Sequence, residues 1–258
     1  MKYLMKLRYV GTEFCGSQIQ PNVRTVQGVL NIAFEGVFGV KCKVTSCSRT
    51  DSGVHANAAT LTVELPDGTT PIPCDKLPLA VAHHLPDDVS IFDVSLVEDG
   101  FHVRHDVVGK EYVYLVHNAP IHDPFLNHRA WFYPRVIDEV GMANMQRAAD
   151  ALLGEHDFSS FMAQGSPVAT TVRHLQDFRV KREGDMILFS VTADGFLYNM
   201  VRILVGTLIE VGVGRISCED IPAILAACDR TKAGMTAPPE GLYLNQVFYD
   251  KNCIFDSN

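Results

Sequence analysis

Lys43-Val44-Thr45-Ser46-Cys47-Ser48-Arg49-Thr50-Asp51-Ser52-Gly53-Val54-His55-Ala56 is the stretch on which the architecture of this chain turns. Residues 43–49 have the β-branched character of a strand, and Asp51-Ser52-Gly53 is turn chemistry with a glycine available for positive φ. A second strand reads over residues 58–65, so two strands meet through a turn that holds a carboxylate between an arginine and a glycine. Taken alone, an Asp-x-Gly turn is an ordinary surface feature, and Arg49 two residues away is a partner of little energetic worth there. Outward from this hairpin, residues 26–38 have helical apolar spacing and residues 2–10 read as a strand; downstream, a short helix over 74–83 precedes a strand over 89–97. The order is β-α-β-β-α-β.

The rest of the chain repeats that order without repeating the sequence. Strands read over residues 110–117, 175–181, 186–192 and 242–249, with helices over 138–153 and 196–211. Asp138-Glu139 places negative charge at a helix start, Met142, Met145, Ala149 and Leu152 follow at three- and four-residue intervals, and Gly154, Gly212 and Gly214 are placed to end helices in left-handed caps. Two successive split-βαβ patterns predict an α+β protein built of two ferredoxin-like subdomains. The junction falls near Asp106, giving an N-terminal subdomain over 1–105 and a C-terminal one over 106–258, with no Gly- or Ser-rich linker between them.

Composition bounds what such a chain can do. At 258 residues, 47% hydrophobic and 20% charged, it has material for a substantial core. Lys2, Lys6 and Arg8 interrupt the apolar residues at the N-terminus, which therefore lacks the run of a signal peptide, and Arg202 and Glu210 make the most apolar helix too short and too charged to span a bilayer. Seven cysteines without a C-x-x-C pair predict reduced thiols and a cytoplasmic location. A net charge of −8 weighs against a broad RNA interface, but a local basic cleft can coexist with an acidic exterior. Two placements stand out. Arg202 lies inside the apolar Met200-Val201-Arg202-Ile203-Leu204-Val205, where it either snorkels to a helix edge or requires an anionic partner. Tyr112 and Tyr114 share one face of their strand, an aromatic pair that suits cross-strand packing in the sheet.

The nonapeptide 48–56 resembles the R-T-D-x-G-V-H-A signature of pseudouridine synthases, specifically the TruA family that modifies transfer RNA. The resemblance continues in family order through residues 14–20, Arg24-Thr25-Val26-Gln27-Gly28, Leu85-Pro86-Asp87-Asp88-Val89, Phe101-His102-Val103-Arg104, Lys110-Glu111-Tyr112-Val113-Tyr114, residues 154–161, residues 200–208 and Gly241-Leu242-Tyr243-Leu244. It implies two ferredoxin-like halves sharing a continuous antiparallel sheet, with helices on one face and a central cleft. It further implies isomerisation of uridine in the anticodon stem-loop of tRNA, by a homodimer and without metal, nucleotide or other cofactor. Asp51 matches the family's essential carboxylate, Arg202 the arginine that reaches it, Tyr112 the residue that stacks on the target base, and Leu242 a leucine that contacts the uracil. Arg49 is assigned to phosphate or to support of Asp51, and Arg24, His102, Arg104, His105, Lys110 and Arg173 to RNA contact.

The chain departs from the family pattern at Val10 (usually Asp), Ser17 (Trp), Ser48 (Gly), Ala82 (Asn) and Asn199 (often His). These departures leave open a divergent synthase with a different RNA target. Two other classes compete. A metal-dependent phosphohydrolase is suggested by His122-Asp123 and His156-Asp157, although such enzymes are largely helical. A noncatalytic RNA-binding module would use the same sheet, but gains nothing from an anion at Asp51 amid phosphates.

Overall fold

The computed structural model describes residues 1–165, 168–250 and 254–255. The chain forms two compact units, one of Met1–Val108 joined by the residues from Tyr243 onward, the other Gly109–Leu242. The fold class is α+β, as the sequence patterns predict.

In the first unit the order is β1 (Lys2–Tyr9), α1 (Val26–Phe38), β2 (Lys43–Ser46), β3 (His55–Glu64), α2 (Leu77–Ala82) and β4 (Val89–Val97). Antiparallel pairing of β1 with both β3 and β4, and of β2 with β3, gives the sheet order β4-β1-β3-β2. That is the order of a split βαβ sheet, in which each helical crossover skips one strand. Helix α1 starts where the Thr25 side chain accepts the Gly28 N–H and stops at Gly39 in the left-handed region. Its Leu30, Ala33 and Phe34 lie in the core with Leu77 and Val81 of α2 and Tyr3, Met5 and Leu7 of β1. Strand β3 begins at His55, earlier than its own sequence suggests. His55 and Ala56 gain parallel partners, Tyr243 and Leu244 of β10 (Leu242–Tyr249), which no local pattern announces. The short β11 (Ile254–Phe255) pairs with β4.

In the second unit β5 (Val107–His117), which begins at the boundary, is followed by β6 (Trp131–Phe132), α3 (Glu139–Asp150), β7 (Gly154–Asp157), β8 (Val172–Glu183), β9 (Met186–Ala193), α4 (Met200–Gly212) and α5 (Ile221–Ala226). The strands lie in the order β5-β9-β8-β7, all antiparallel, with β6 running parallel beside β5. Asp138 caps α3 by accepting the Gly141 N–H at 2.8 Å. The helix ends at Asp150, so Gly154, at φ 100°, opens β7 instead of closing α3. Helix α4 begins at Met200 because residues 196–199 form the turn that leads into it, with Asn199 at φ 59°. It is apolar except at Arg202, Thr207 and Glu210 and is largely buried, with Ile203, Leu204, Val205, Leu208 and Ile209 fully enclosed. Among the described residues, no helix is long and apolar enough to cross a membrane.

Leu208→Ala should lower the unfolding free energy by about 2–5 kcal/mol, the cost of a cavity at a fully enclosed leucine. Urea denaturation measures it, and an unchanged midpoint would contradict the placement of α4 at the centre of its unit.

Candidate active site

Asp51 stands on the loop between β2 and β3, half-buried, and the chain around it is fixed by residues 9–17. Thr50, the residue before it, is held from two directions. Its backbone N–H is accepted by Ser17 Oγ at 2.8 Å and its carbonyl accepts the Ser17 N–H at 3.0 Å. On the other side its hydroxyl shares a 2.7 Å hydrogen bond with the Tyr9 hydroxyl. Burial pushes the Tyr9 phenol up to about 12, against the smaller opposing effect of the Thr50 bond, so it stays neutral at ordinary pH. After Asp51, Ser52 Oγ donates to the Phe14 carbonyl at 3.2 Å and the Val54 N–H closes the turn on the Asp51 carbonyl at 3.2 Å. His55 is buried, accepts the Gly11 N–H at Nδ1 (2.9 Å) and stacks on Tyr243 with ring centroids 4.6 Å apart. A Cβ on Gly11 would sit 1.9 Å from the Val54 carbonyl oxygen, so only glycine lets the two segments approach this closely.

The second unit holds an arginine with equal care. Arg202, half-buried in the first turn of α4, donates from Nε to the Ala237 carbonyl at 2.7 Å and from Nη1 to Asn199 Oδ1 at 2.8 Å. Its own carbonyl accepts the Ala237 N–H at 3.0 Å. The segment 233–237 crosses α4 where Gly206 removes the obstacle: a Cβ there would lie 1.9 Å from the Met235 carbonyl oxygen. Gly234 N–H donates to Thr207 Oγ1, and Arg230 donates to the Gly234 carbonyl and to Thr236 Oγ1. Tyr112, buried on β5, packs edge-on against Phe196 at 5.0 Å. Tyr114, two residues on, donates to the Pro238 carbonyl at 2.7 Å. Burial first and Glu240 second push its phenol up, while Arg202 works in the opposite direction. Leu242 is buried at the start of β10.

The residues assigned to RNA contact have diverse surroundings. Arg24 forms a two-pronged ion pair with Asp88 (2.7 and 2.8 Å) and lies over the Phe14 ring at 4.1 Å, so it braces the N-terminal loop. His102, Arg104 and His105 gather in one exposed turn, with the two imidazole rings 4.1 Å apart. Tyr249 fastens that turn by donating to the Val103 carbonyl, and Arg104 Nε reaches the Ser46 carbonyl at the end of β2. Arg49 is exposed beyond β2. Arg173 donates to the Thr170 and Val172 carbonyls, and Lys110 is half-exposed on β5.

The dipeptides that suggest a metal site have local duties. Asp123 caps Phe125, Asp157 accepts from Ser159, and His156 Nε2 bonds the Leu153 carbonyl. Among the described residues no three His, Cys, Asp or Glu side chains gather as a metal site. Sequence reading gave no role to Tyr9, Ser17 and His55 around Asp51, or to Asn199 beside Arg202. For His55 the signal was present, because a histidine opening an otherwise apolar strand must find a polar partner. Ser17 and Asn199 were legible only as departures from a pattern.

The sequence pattern described as tRNA pseudouridine synthase matches residues 6–106 and 148–250. A protein of Ruminiclostridium cellulolyticum named tRNA pseudouridine synthase A is 44% identical over 249 residues, covering 96% of this chain and 99% of that one. Its namesake from Acetivibrio thermocellus is 42% identical over 243 residues, covering 94% and 97%. A solved Cbf5-Nop10-Gar1 complex aligns with a TM-score of 0.38 and 13% identity over 95% of this chain and 59% of that one.

Ser17→Ala leaves the buried Thr50 N–H without its acceptor and should cost about 1–3 kcal/mol of stability. Thermal unfolding measures it, and a parental transition would mean that the N–H finds another partner.

Proposed function

The chain belongs to the tRNA pseudouridine synthase family, and we propose that it isomerises uridines in the anticodon stem-loop of tRNA with Asp51 as the catalytic carboxylate. The reaction breaks the bond between N1 of the base and C1′ of the ribose, turns the uracil, and forms a bond from C5 to C1′. The hydrogen on C5 leaves as a proton while N1 gains one, so the product is an isomer and no electrons are exchanged. A carboxylate serves the first half of this sequence as nucleophile or base, and it acts only while ionised.

A cationic partner keeps such a carboxylate charged once RNA displaces water. Arg202 takes that role, and hydrogen bonds to the Ala237 carbonyl and to Asn199 Oδ1 help to fix its guanidinium. Tyr112 receives the base after it leaves the helical stack, since an aromatic face compensates part of the lost stacking, and Leu242 contacts the uracil. Arg49, Arg104, Lys110 and Arg173 supply positive charge that a net charge of −8 conceals, His102 and His105 supply ring donors for RNA, and Arg24, already paired with Asp88, contacts RNA from the N-terminal loop that it braces. We place the enzyme in the cytoplasm as a homodimer in which two copies grip one RNA. The observation that carries this reading is the family match on both sides of the chain together with a carboxylate on a doubly braced turn.

The test is to incubate the protein with unmodified tRNA and map pseudouridine by position. Asp51→Asn should abolish conversion by several orders of magnitude while RNA association survives, and retained conversion would refute the assigned role. Arg202→Met should slow turnover strongly. Pseudouridine confined to positions outside the anticodon stem-loop would favour a divergent target, the reading suggested by the departures at Val10, Ser17, Ser48, Ala82 and Asn199.

A further inference from the structure

We propose that Tyr9 is a positioning residue for the isomerisation, acting on Asp51 through the hydroxyl of Thr50; the inference rests on the functional reading above. Tyr9 ends β1, where it is paired on both sides, with Ala56 of β3 and with Val89 of β4. It is buried, packs edge-on against Phe14 with ring centroids 6.3 Å apart, and shares its hydroxyl with Thr50 Oγ1 at 2.7 Å in the interior. Ser17 reaches the Thr50 backbone from an irregular segment, whereas Tyr9 reaches the Thr50 side chain from a strand with a partner on each side. The Tyr9 bond therefore ties the turn directly to the sheet.

The register of the sheet points the same way. Leu7 faces Ala59, yet Tyr9, two residues on, faces Ala56, three residues back, so β3 carries one extra residue between those pairs. A bulge of this kind bends its strand and shifts whatever precedes it by one position along the partner, a device over-represented beside active sites. What precedes it here is the start of β3 and the turn that holds Thr50 and Asp51. Because Asp51 follows Thr50 in the chain, an angular error at Thr50 passes to the carboxylate through the shared peptide. The Tyr9 phenol, pushed up to about 12 chiefly by burial, stays neutral at ordinary pH, so it orients its neighbour and exchanges no proton with substrate.

The hydroxyl pair can be removed from either end or from both. Tyr9→Phe and Thr50→Val each delete one hydroxyl and leave the other in the interior, so each should lower the thermal midpoint. The double variant leaves neither hydroxyl behind and should recover most of that loss. The rate should not follow the stability, because apolar packing carries none of the direction of a hydrogen bond. With saturating tRNA in single turnover, all three variants should form pseudouridine about 10- to 100-fold more slowly than the parent, the order that a small misplacement of a reacting group costs. The double variant should be no slower than the slower single one, since the two hydroxyls act as one unit. Thr50→Ser keeps the hydroxyl and should retain most of the rate. Dissociation constants for tRNA should stay within about twofold of the parent's, as when only the reacting geometry is disturbed. A parental rate for Tyr9→Phe, a double variant whose rate recovers together with its midpoint, or Thr50→Ser as slow as Thr50→Val would each overturn the role. Failure of the functional reading looks different: parental protein that makes no pseudouridine, or Asp51→Asn converting at the parental rate, removes both proposals together.

Discussion

The constraint on which the first unit is organised is the wrapping of residues 9–17 around Thr50. A carboxylate is aimed by the backbone that carries it, and Thr50, the residue before Asp51, is bonded at both its N–H and its carbonyl by Ser17, while Tyr9 holds the Thr50 side chain. These bonds are buried, so breaking any of them leaves an unsatisfied polar group, a cost larger than the bond's own net worth. The loop therefore has little freedom to swing even though it carries no regular secondary structure. Gly11 extends the same constraint to His55, whose Nδ1 must be unprotonated to accept the Gly11 N–H. Turn, strand start and N-terminal loop behave as one rigid object.

The second unit reaches the same end by different means. Helix α4 is almost wholly apolar, and a guanidinium at its start would be costly if it lacked partners. The strap over residues 233–237 supplies one, and it can cross the helix only because Gly206 presents no side chain. In both units a glycine permits two backbones to meet and a polar residue next to the contact is thereby held in one orientation. Preorganisation of this kind lets an active group act without first being ordered by substrate.

Charge is distributed in keeping with this economy. Several cations are tied to neighbouring carboxylates, Arg24 to Asp88, Lys6 to Asp93 and Lys43 to Glu64, and such pairs secure loops and strand ends. The turn with His102, Arg104 and His105 is different: its basic groups are collected in an exposed position and its backbone is anchored by Tyr249, whose phenol is pushed up chiefly by burial. An acidic protein can in this way present positive charge locally, and an RNA partner responds to that local field rather than to the total.

Most of the elements were legible in the sequence because they depend on local periodicity. The β-branched run 43–46, the helical spacing of 26–38 and the apolar helix read over 196–211 follow from side-chain patterns that need no distant partner, although that last helix starts only at Met200. The family was also legible, since a motif is a property of order along the chain, and the same motifs single out Asp51 and Arg202 as candidates. What the sequence could not determine are the bonds that aim those groups. Ser17 and Thr50 are 33 residues apart and Arg202 and Ala237 are 35 apart, so their pairings exist only once the intervening helices and strands have packed. Ser17 and Asn199 looked like departures for the same reason: a hydrogen bond is decided by distance and angle between atoms, and those are fixed by the tertiary structure.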